Sequence, residues 1–217
     1  MKKSIIVSDF DGTVSTRDSL YGFFEEYAQE NWTVIEELWR TGEIGSKECL
    51  IKEFELVPDL SESLIDKFTS TIEIDAHFKE FQGQVKSQGI DFVIVSDGVD
   101  YFINRILSNN GIEGVDITSN HGEFVNGKFL LSFPNGYSIC KNDSGTCKCK
   151  VVEDLRQNYD LIYYIGDGVS DFCVADKADI LFAKKSLAEH CRQNDIEYTP
   201  YNNFGDIAHS ILQEINC

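Results

Sequence analysis

Asp9 and Asp11 stand one residue apart, directly after the apolar run Ile5-Ile6-Val7 and just before Gly12 and Thr13. A short β-branched run bounded by polar residues reads as a buried strand, which puts both carboxylates at its end. By itself Asp-x-Asp-Gly is also an ordinary capped turn. Two other apolar runs end in the same kind of corner. The run 90–95 leads into Ser96-Asp97-Gly98, and the run 161–165 leads into Gly166-Asp167-Gly168, with Asp171 a helical turn further on.

In an open α/β sheet, ligands bind outside the carboxyl ends of the strands, so these corners would share one edge. Carboxylates gathered there repel one another by roughly 4 kcal/mol per pair at ~4 Å and an effective dielectric of about 20. Such a pocket must hold protons or a hard cation. Its donors are all oxygen, with no His or Cys at the corners, and that set fits Mg²⁺. A phosphoryl group fits beside the ion, because a divalent cation, a lysine and backbone N–H groups meet the charge of its transition state.

The stretches between the corners supply the elements that would position them. Asp18 or Ser19 caps a predicted helix to about residue 29, with Leu20, Phe23, Phe24 and Tyr27 at helical spacing. Further helices are expected over 32–39, from Ser46 with Cys49, Leu50, Phe54 and Val57 on one face, and from Ser61 with Leu64, Ile65 and Phe68. A crossover between neighbouring parallel strands needs far less chain than this. The excess reads as an inserted helical subdomain able to act as a lid, with its aromatic and leucine positions forming its own core. A helix over 75–88 returns the chain to the sheet at 90–95. A helix over 100–108 follows, ended by Asn110-Gly111, and then a strand over 115–118. Residues 123–131 form a hairpin signal around Asn126-Gly127, which supplies a type I′ turn. The segment 134–146 is polar and irregular. A helix from about Lys148 carries Val151, Val152 and Leu155; a strand over 178–183 and helices over 186–193 and 205–215 close the chain. Strands alternating with helices predict an α/β fold built on a doubly wound parallel sheet, here with a small β-hairpin.

At 217 residues and 42% hydrophobic, the chain suits one large domain or a domain with an insertion. The net charge of -18 disfavours nucleic acid or an anionic membrane as partner. No apolar stretch approaches a membrane span, and the run after Met1-Lys2-Lys3 is too short for a secretory signal. The seven cysteines are odd in number and scattered, which reads as reduced thiols in a cytoplasmic protein. Cys140, Cys147 and Cys149 suggest zinc, but a structural site wants four ligands at familiar spacings, and packing around the neighbouring lysine is the plainer reading. His121 reads as structural, though it follows a strand and could reach the rim of the site. His77, His190 and His209 fall on predicted helices and read as surface or satisfied residues. The oligomeric state is not legible.

Taken in order, Asp9-Phe10-Asp11-Gly12-Thr13, Ser96, Lys148 and Gly166-Asp167-Gly168-x-Ser170-Asp171 resemble the four motifs of the haloacid dehalogenase-like (HAD) phosphatases. The helical insert is similar to the cap of the phosphoserine-phosphatase-like branch. Within that branch, Ser119-Asn120-His121 and Cys147-Lys148-Cys149-Lys150 resemble the methionine-salvage phosphatases acting on 2-hydroxy-3-keto-5-methylthiopentenyl-1-phosphate. Phosphoethanolamine/phosphocholine phosphatases share the Cys-Lys-x-Lys-Val ending and a pair like Ser96-Asp97.

The resemblance implies a Rossmann-like catalytic core of 1–15 and 76–217, with 16–75 as the cap. It implies that Asp9 attacks phosphorus to give an aspartyl-phosphate, with Thr13 behind it, while Asp11 protonates the leaving alkoxide and then activates water. Asp9, the Asp11 carbonyl and Asp167 would ligate Mg²⁺, with Asp171 as a ligand or just behind. Ser96, the N–H groups of Asp97 and Gly98, and Lys148 would hold the phosphoryl oxygens. The family spacing Lys-x-x-apolar-apolar-x-x-apolar selects Lys148 over Lys150. Asp18, Tyr21, Phe24 and Lys47 are the cap candidates for substrate contact. No Arg occurs between Arg40 and Arg105, and Asp18 stands where phosphoserine phosphatases carry Glu, which disfavours phosphoserine. The expected partner is a small phosphorylated metabolite. Alternatives are phosphoethanolamine, phosphocholine, phosphoserine or pyridoxal phosphate, or a phosphotransferase or mutase reaction on the same scaffold.

Overall fold

The computed structural model describes residues 3–215. Its sheet begins with β1 (Ser4–Ser8), β2 (Asp91–Val99), β3 (Asp116–Val125) and β4 (Lys128–Ser132). It continues with β5 (Leu161–Gly166), β6 (Ile180–Ala183) and β7 (Thr199–Pro200). Among the described residues these form one sheet in the order β4-β3-β2-β1-β5-β6-β7, parallel except for the antiparallel β3–β4 hairpin. The helices between them are α1 (Ser19–Tyr27), α2 (Trp32–Arg40), α3 (Ser46–Glu55), α4 (Glu62–Thr69), α5 (Phe78–Ser87) and α6 (Asp100–Asn109). After the hairpin come α7 (Lys148–Leu155), α8 (Lys185–Gln193) and α9 (Phe204–Ile215). The expected doubly wound α/β architecture is therefore present.

The strand period of two explains the layering. In β1, Ile6 faces a cluster built with α5, α6 and α9 through Phe78, Phe81, Phe102, Phe204 and Ile207. Ile5 and Val7 face the opposite cluster, with Val152 of α7 and Leu187 and Cys191 of α8. Both faces of the sheet are covered, as parallel sheets require. β1 lies between β2 and β5, so all three acidic corners fall on adjacent strands.

Three expectations change. The insert has no separate core, because Phe23, Phe24, Phe54 and Phe68 belong to the same cluster as the α6 side of the sheet. Phe23 packs edge-on against Phe102 at 5.0 Å between centroids, and Phe54 lies 5.0 Å from Phe129. The strand 115–118 and the first arm of the hairpin are one strand, β3, which pairs in parallel with β2 and then from His121 onward with β4. Ser96-Asp97-Gly98 does not follow the end of β2. It is an irregularity within it, since Val95 pairs with Thr118 and Val99 with Asn120. Three residues of β2 face the single residue Ser119 of β3, so two are in excess and the segment bulges out of the ladder, a device that re-aims side chains beside functional sites. β7, short and ending in Pro200, has no strand signal of its own. The hairpin turn is as expected, with positive φ at Asn126 and Gly127.

Candidate active site

Asp9 leaves β1 with its N–H donating to the Ile165 carbonyl at 2.8 Å, which ties the end of β1 to the end of β5. Its Oδ1 accepts from the Phe10 N–H at 2.7 Å and lies 2.8 Å from Lys148 Nζ. Lys148 opens α7, and its side chain is only 2% exposed. The same ammonium donates to Asp171 Oδ1 at 2.6 Å and to Ser170 Oγ at 2.9 Å. Lys150, the rival in sequence, points away and pairs with Asp154 on its own helix.

Asp171 is held from every side. Its Oδ1 also accepts from the Tyr164 hydroxyl at 2.6 Å, and its Oδ2 accepts from the N–H groups of Asp167 and Gly168 at 3.0 and 3.1 Å. Asp167 accepts from Thr13 Oγ1 at 3.0 Å through Oδ1, and from Lys185 Nζ at 2.8 Å through Oδ2. Gly12 is required here: its φ is +72°, and a Cβ would fall 2.5 Å from Asp167 Oδ2. Asp11 Oδ1 accepts from the Ser19 N–H at 2.7 Å, so the carboxylate also anchors the start of α1.

The electrostatics follow from this crowding. Burial and then the Asp171 carboxylate push Asp9 well above the ordinary carboxylate range, against the pull of Lys148. Burial alone would drive Lys148 toward neutrality, but Asp171 and Asp9 outweigh it and hold the ammonium above its usual value. Asp11 is pushed up to about 7 by burial and then by Asp18, with hydrogen bonds from Ser19 opposing.

Carboxylate oxygens of Asp9, Asp167 and Asp171 converge within 4.8 Å of one another, so the donor set is all-oxygen and suited to a hard cation. Among the described residues, neither Asp9 Oδ2 nor the Asp11 carbonyl accepts a hydrogen bond, while both oxygens of Asp171 each accept two. The residues fit a divalent ion on the Asp9 and Asp167 side, with Asp171 as the group that positions Lys148 and the Gly166–Gly168 turn. HAD phosphatases in general depend on such a metal.

The Ser96 corner is built by partners that the sequence separates widely. Gly98 N–H donates to Ser96 Oγ at 3.0 Å. Asp97 Oδ1 accepts from the Thr146 N–H at 2.9 Å and from Asn120 Nδ2 at 3.2 Å, and Asn120 Nδ2 also donates to the Asp97 carbonyl at 2.6 Å. Thr146 Oγ1 completes the clamp on Asn120 Oδ1 at 3.2 Å. The Ser119-Asn120 step and the loop before Lys148 thus hold the bulged segment of β2. His121 sits outside the site, joining Asp100 at the start of α6 at 2.7 Å. Among the described residues the cysteine thiols are free. Cys140, Cys147 and Cys149 do not form a converging metal-ligand group; Cys149 Sγ instead donates to the Cys173 carbonyl at 2.9 Å.

The cap candidates divide. Asp18 is the N-cap of α1, accepting from the Tyr21 N–H at 2.9 Å, and Tyr21 is 39% exposed. Phe24 is corrected: at 1% exposure and 5.0 Å from Phe54 it is core and cannot meet a ligand. Lys47 is bound at 2.8 Å to Asp143, clipping α3 to the 134–146 loop. Lys185 and Tyr164 were not singled out in the sequence. Lys185 gives little signal, because a lysine with φ of 47° at a helix start follows no pattern. Tyr164 gives one: a tyrosine inside an apolar strand needs a partner for its hydroxyl.

A family model of the haloacid dehalogenase-like hydrolases matches residues 6–176. The 2-hydroxy-3-keto-5-methylthiopentenyl-1-phosphate phosphatase of Bacillus pumilus (strain SAFR-032) is 32% identical over 209 residues, covering 95% of this chain and 90% of that protein. The protein of the same name from Exiguobacterium sp. (strain ATCC BAA-1283 / AT1b) is 29% identical over 205 residues, 94% of each chain. Among solved structures, a phosphoserine phosphohydrolase-like protein from Francisella tularensis superposes with a TM-score of 0.70 at 20% identity, covering 96% of this chain and 99% of that one. A phospho-aspartyl intermediate analogue of phosphoserine phosphatase gives 0.69 at 20% identity over 94% of this chain and 95% of that one, a likeness of fold. The chain belongs to the haloacid dehalogenase-like hydrolases. Within them it is a phosphoric monoester hydrolase.

Proposed function

We propose that this enzyme hydrolyses a small phosphomonoester in two steps through an aspartyl-phosphate on Asp9. The observation that carries the reading is the buried Lys148 ammonium, 2.8 Å from Asp9 and 2.6 Å from Asp171 at the carboxyl edge of the sheet. Asp9 and Asp167, with the Asp11 carbonyl, would hold Mg²⁺, which when bound supplies positive charge to the phosphoryl oxygens and relieves the repulsion between these acids. Lys148 keeps the nucleophile aimed and neutralises part of the incoming charge. Ser96 Oγ and the corner that Asn120 and Thr146 hold in place receive phosphoryl oxygens. The Asp9 carboxylate attacks phosphorus as the ester oxygen departs, and Asp11 gives that oxygen its proton. Asp11 then takes a proton from water, which attacks the acyl phosphate and regenerates Asp9. A carboxyl raised to about 7 is poised for both transfers near neutrality.

We assign 2-hydroxy-3-keto-5-methylthiopentenyl-1-phosphate, the substrate named for the relatives, as the leading candidate. Residues 16–75 act as the cap over the site, entering and leaving the core where Ser15 bridges Ile74. The free thiols support a cytoplasmic setting. The test is phosphate release with Mg²⁺ from an aryl phosphate and from a panel holding the salvage intermediate, phosphoethanolamine, phosphocholine, phosphoserine and pyridoxal phosphate. Release is expected to vanish in Asp9→Asn and Asp11→Asn. Undiminished release by Asp9→Asn overturns the mechanism, and preference for another panel member overturns the substrate.

A further inference from the structure

A second set of metal-ligating side chains converges outside the reaction centre: Glu36, Cys49 and Glu53, with donor atoms within 4.8 Å of one another. Cys49 and Glu53 are four residues apart on α3 and so share one face of the helix. Glu36 meets them from α2. The Cys49 thiol lies 3.8 Å from the Ile35 carbonyl beside Glu36, and Trp39 Nε1 donates to Ser46 Oγ at 3.1 Å, clipping the two helices together. Cys49 is 4% exposed and Glu53 5%, while the Glu36 side chain is 16% exposed.

Glu53 Oε1 is buried with no hydrogen-bond partner. A carboxylate so placed, beside a second carboxylate, carries a desolvation cost that a proton or a cation must offset. Arg40 does not remove it: its Nε pairs with Glu36 Oε1 at 3.0 Å from the exposed side. Burial and then Glu36 push the Glu53 carboxyl up to about 8.

We propose that Glu36, Cys49 and Glu53 bind a zinc-class divalent ion at the seam between α2 and α3. A thiolate with two carboxylates is a borderline-soft set that zinc accepts, and three protein ligands leave a fourth position for water on the partly open Glu36 side. The all-oxygen set at Asp9 and Asp167 favours a harder ion, so the two sites select different metals. Binding forms a sulfur–metal bond and releases to solvent the thiol proton of Cys49 and the carboxyl proton that Glu53 holds near neutrality, with no change of oxidation state. The rival arrangement is a proton shared between Glu36 and Glu53 with the Cys49 thiol kept protonated and donating to Glu53, and it gives no thiolate for a metal.

Cobalt(II) added to the full-length apo-protein is the probe, because only a thiolate ligand gives the near-ultraviolet sulfur-to-cobalt charge-transfer absorption. The expected result is a saturable band at one equivalent, absent in Cys49→Ser and retained in Asp167→Asn. Glu53→Gln keeps the thiol and should weaken cobalt binding by at least about tenfold. Absence of the band in the wild-type protein overturns the proposal, and needs no variant to fold. A band that survives Cys49→Ser assigns the thiolate to another cysteine and equally overturns it. Either failure leaves phosphate release untouched, so it is separable from a failure of the phosphatase reading.

Discussion

Replacing Lys148 by Met removes the one ammonium set between Asp9 and Asp171, whose side chains are 6% and 0% exposed. Methionine is close in shape, so the perturbation is chiefly the loss of charge. Removing one partner of a buried ion pair leaves the other uncompensated, at a cost of about 3–5 kcal/mol. For a domain of 150–250 residues, 1 kcal/mol moves Tm by about 2–4 °C, which predicts a fall of roughly 6–20 °C. The assay is thermal unfolding in the presence of a chelator, so that no metal ion substitutes for the lost ammonium. Adding Asp171→Asn to Lys148→Met should recover part of the loss, because the two groups are in direct contact and couple by ~1 kcal/mol or more. A Tm within about 2 °C of wild type, together with strict additivity in the double variant, would refute the reasoning.

Gly145 admits no side chain: a Cβ there would lie 2.2 Å from Asn120 Oδ1 and 2.5 Å from Phe133, so Gly145→Ala must open the Asn120–Asp97–Thr146 clamp. It should lower phosphate release while leaving far-UV circular dichroism unchanged; wild-type kcat would count against the clamp. Mg²⁺ at a hundredfold its Kd should stabilise the wild-type fold by about 2.7 kcal/mol and leave Asp167→Asn unaffected, which calorimetry with and without chelator can read. The His121 pKa is raised by its hydrogen bond and charge contact with Asp100. Its folded value exceeds the unfolded one, so its stabilisation is fully present below the unfolded pKa near ~6.5 and fades as pH rises through the folded pKa. The side chain is 46% exposed, so the effect is small, and His121→Gln should flatten this part of the stability–pH curve without altering phosphate release at saturating substrate.

Much of the site was legible because it is written in local signals. The apolar runs before Asp9 and Asp167 mark buried strands, while the choice of Lys148 over Lys150 rests on the family's motif spacing, which Val151, Val152 and Leu155 match. Sheet order follows from alternation and handedness rather than from any one residue. What was not legible depends on contacts between distant segments. Asn120, Asp97 and Thr146 look like three unrelated polar residues until the bulge in β2 brings them together. Tyr164 reads as core because its ring is core, and only the fold shows its hydroxyl on Asp171. Phe24 is the opposite case: as a cap side chain it is a candidate for substrate contact, but its helical spacing with Leu20, Phe23 and Tyr27 also fits the buried face, where the fold puts it. β7 pairs through only Thr199 and Pro200, too short a run to carry a period.

The division of labour between Asp9 and Asp11 is the central claim, and trapping tests it most directly. An Asp11→Asn variant keeps the nucleophile and lacks the base for the second step, so with a reactive aryl phosphate it should accumulate protein-bound phosphate after acid quenching. The linkage should be stable in acid, cleaved by hydroxylamine, and located by mass spectrometry on Asp9. Phosphate trapped on another residue, or phosphate release by the wild-type enzyme with no trappable intermediate in any variant that retains Asp9, would contradict the account.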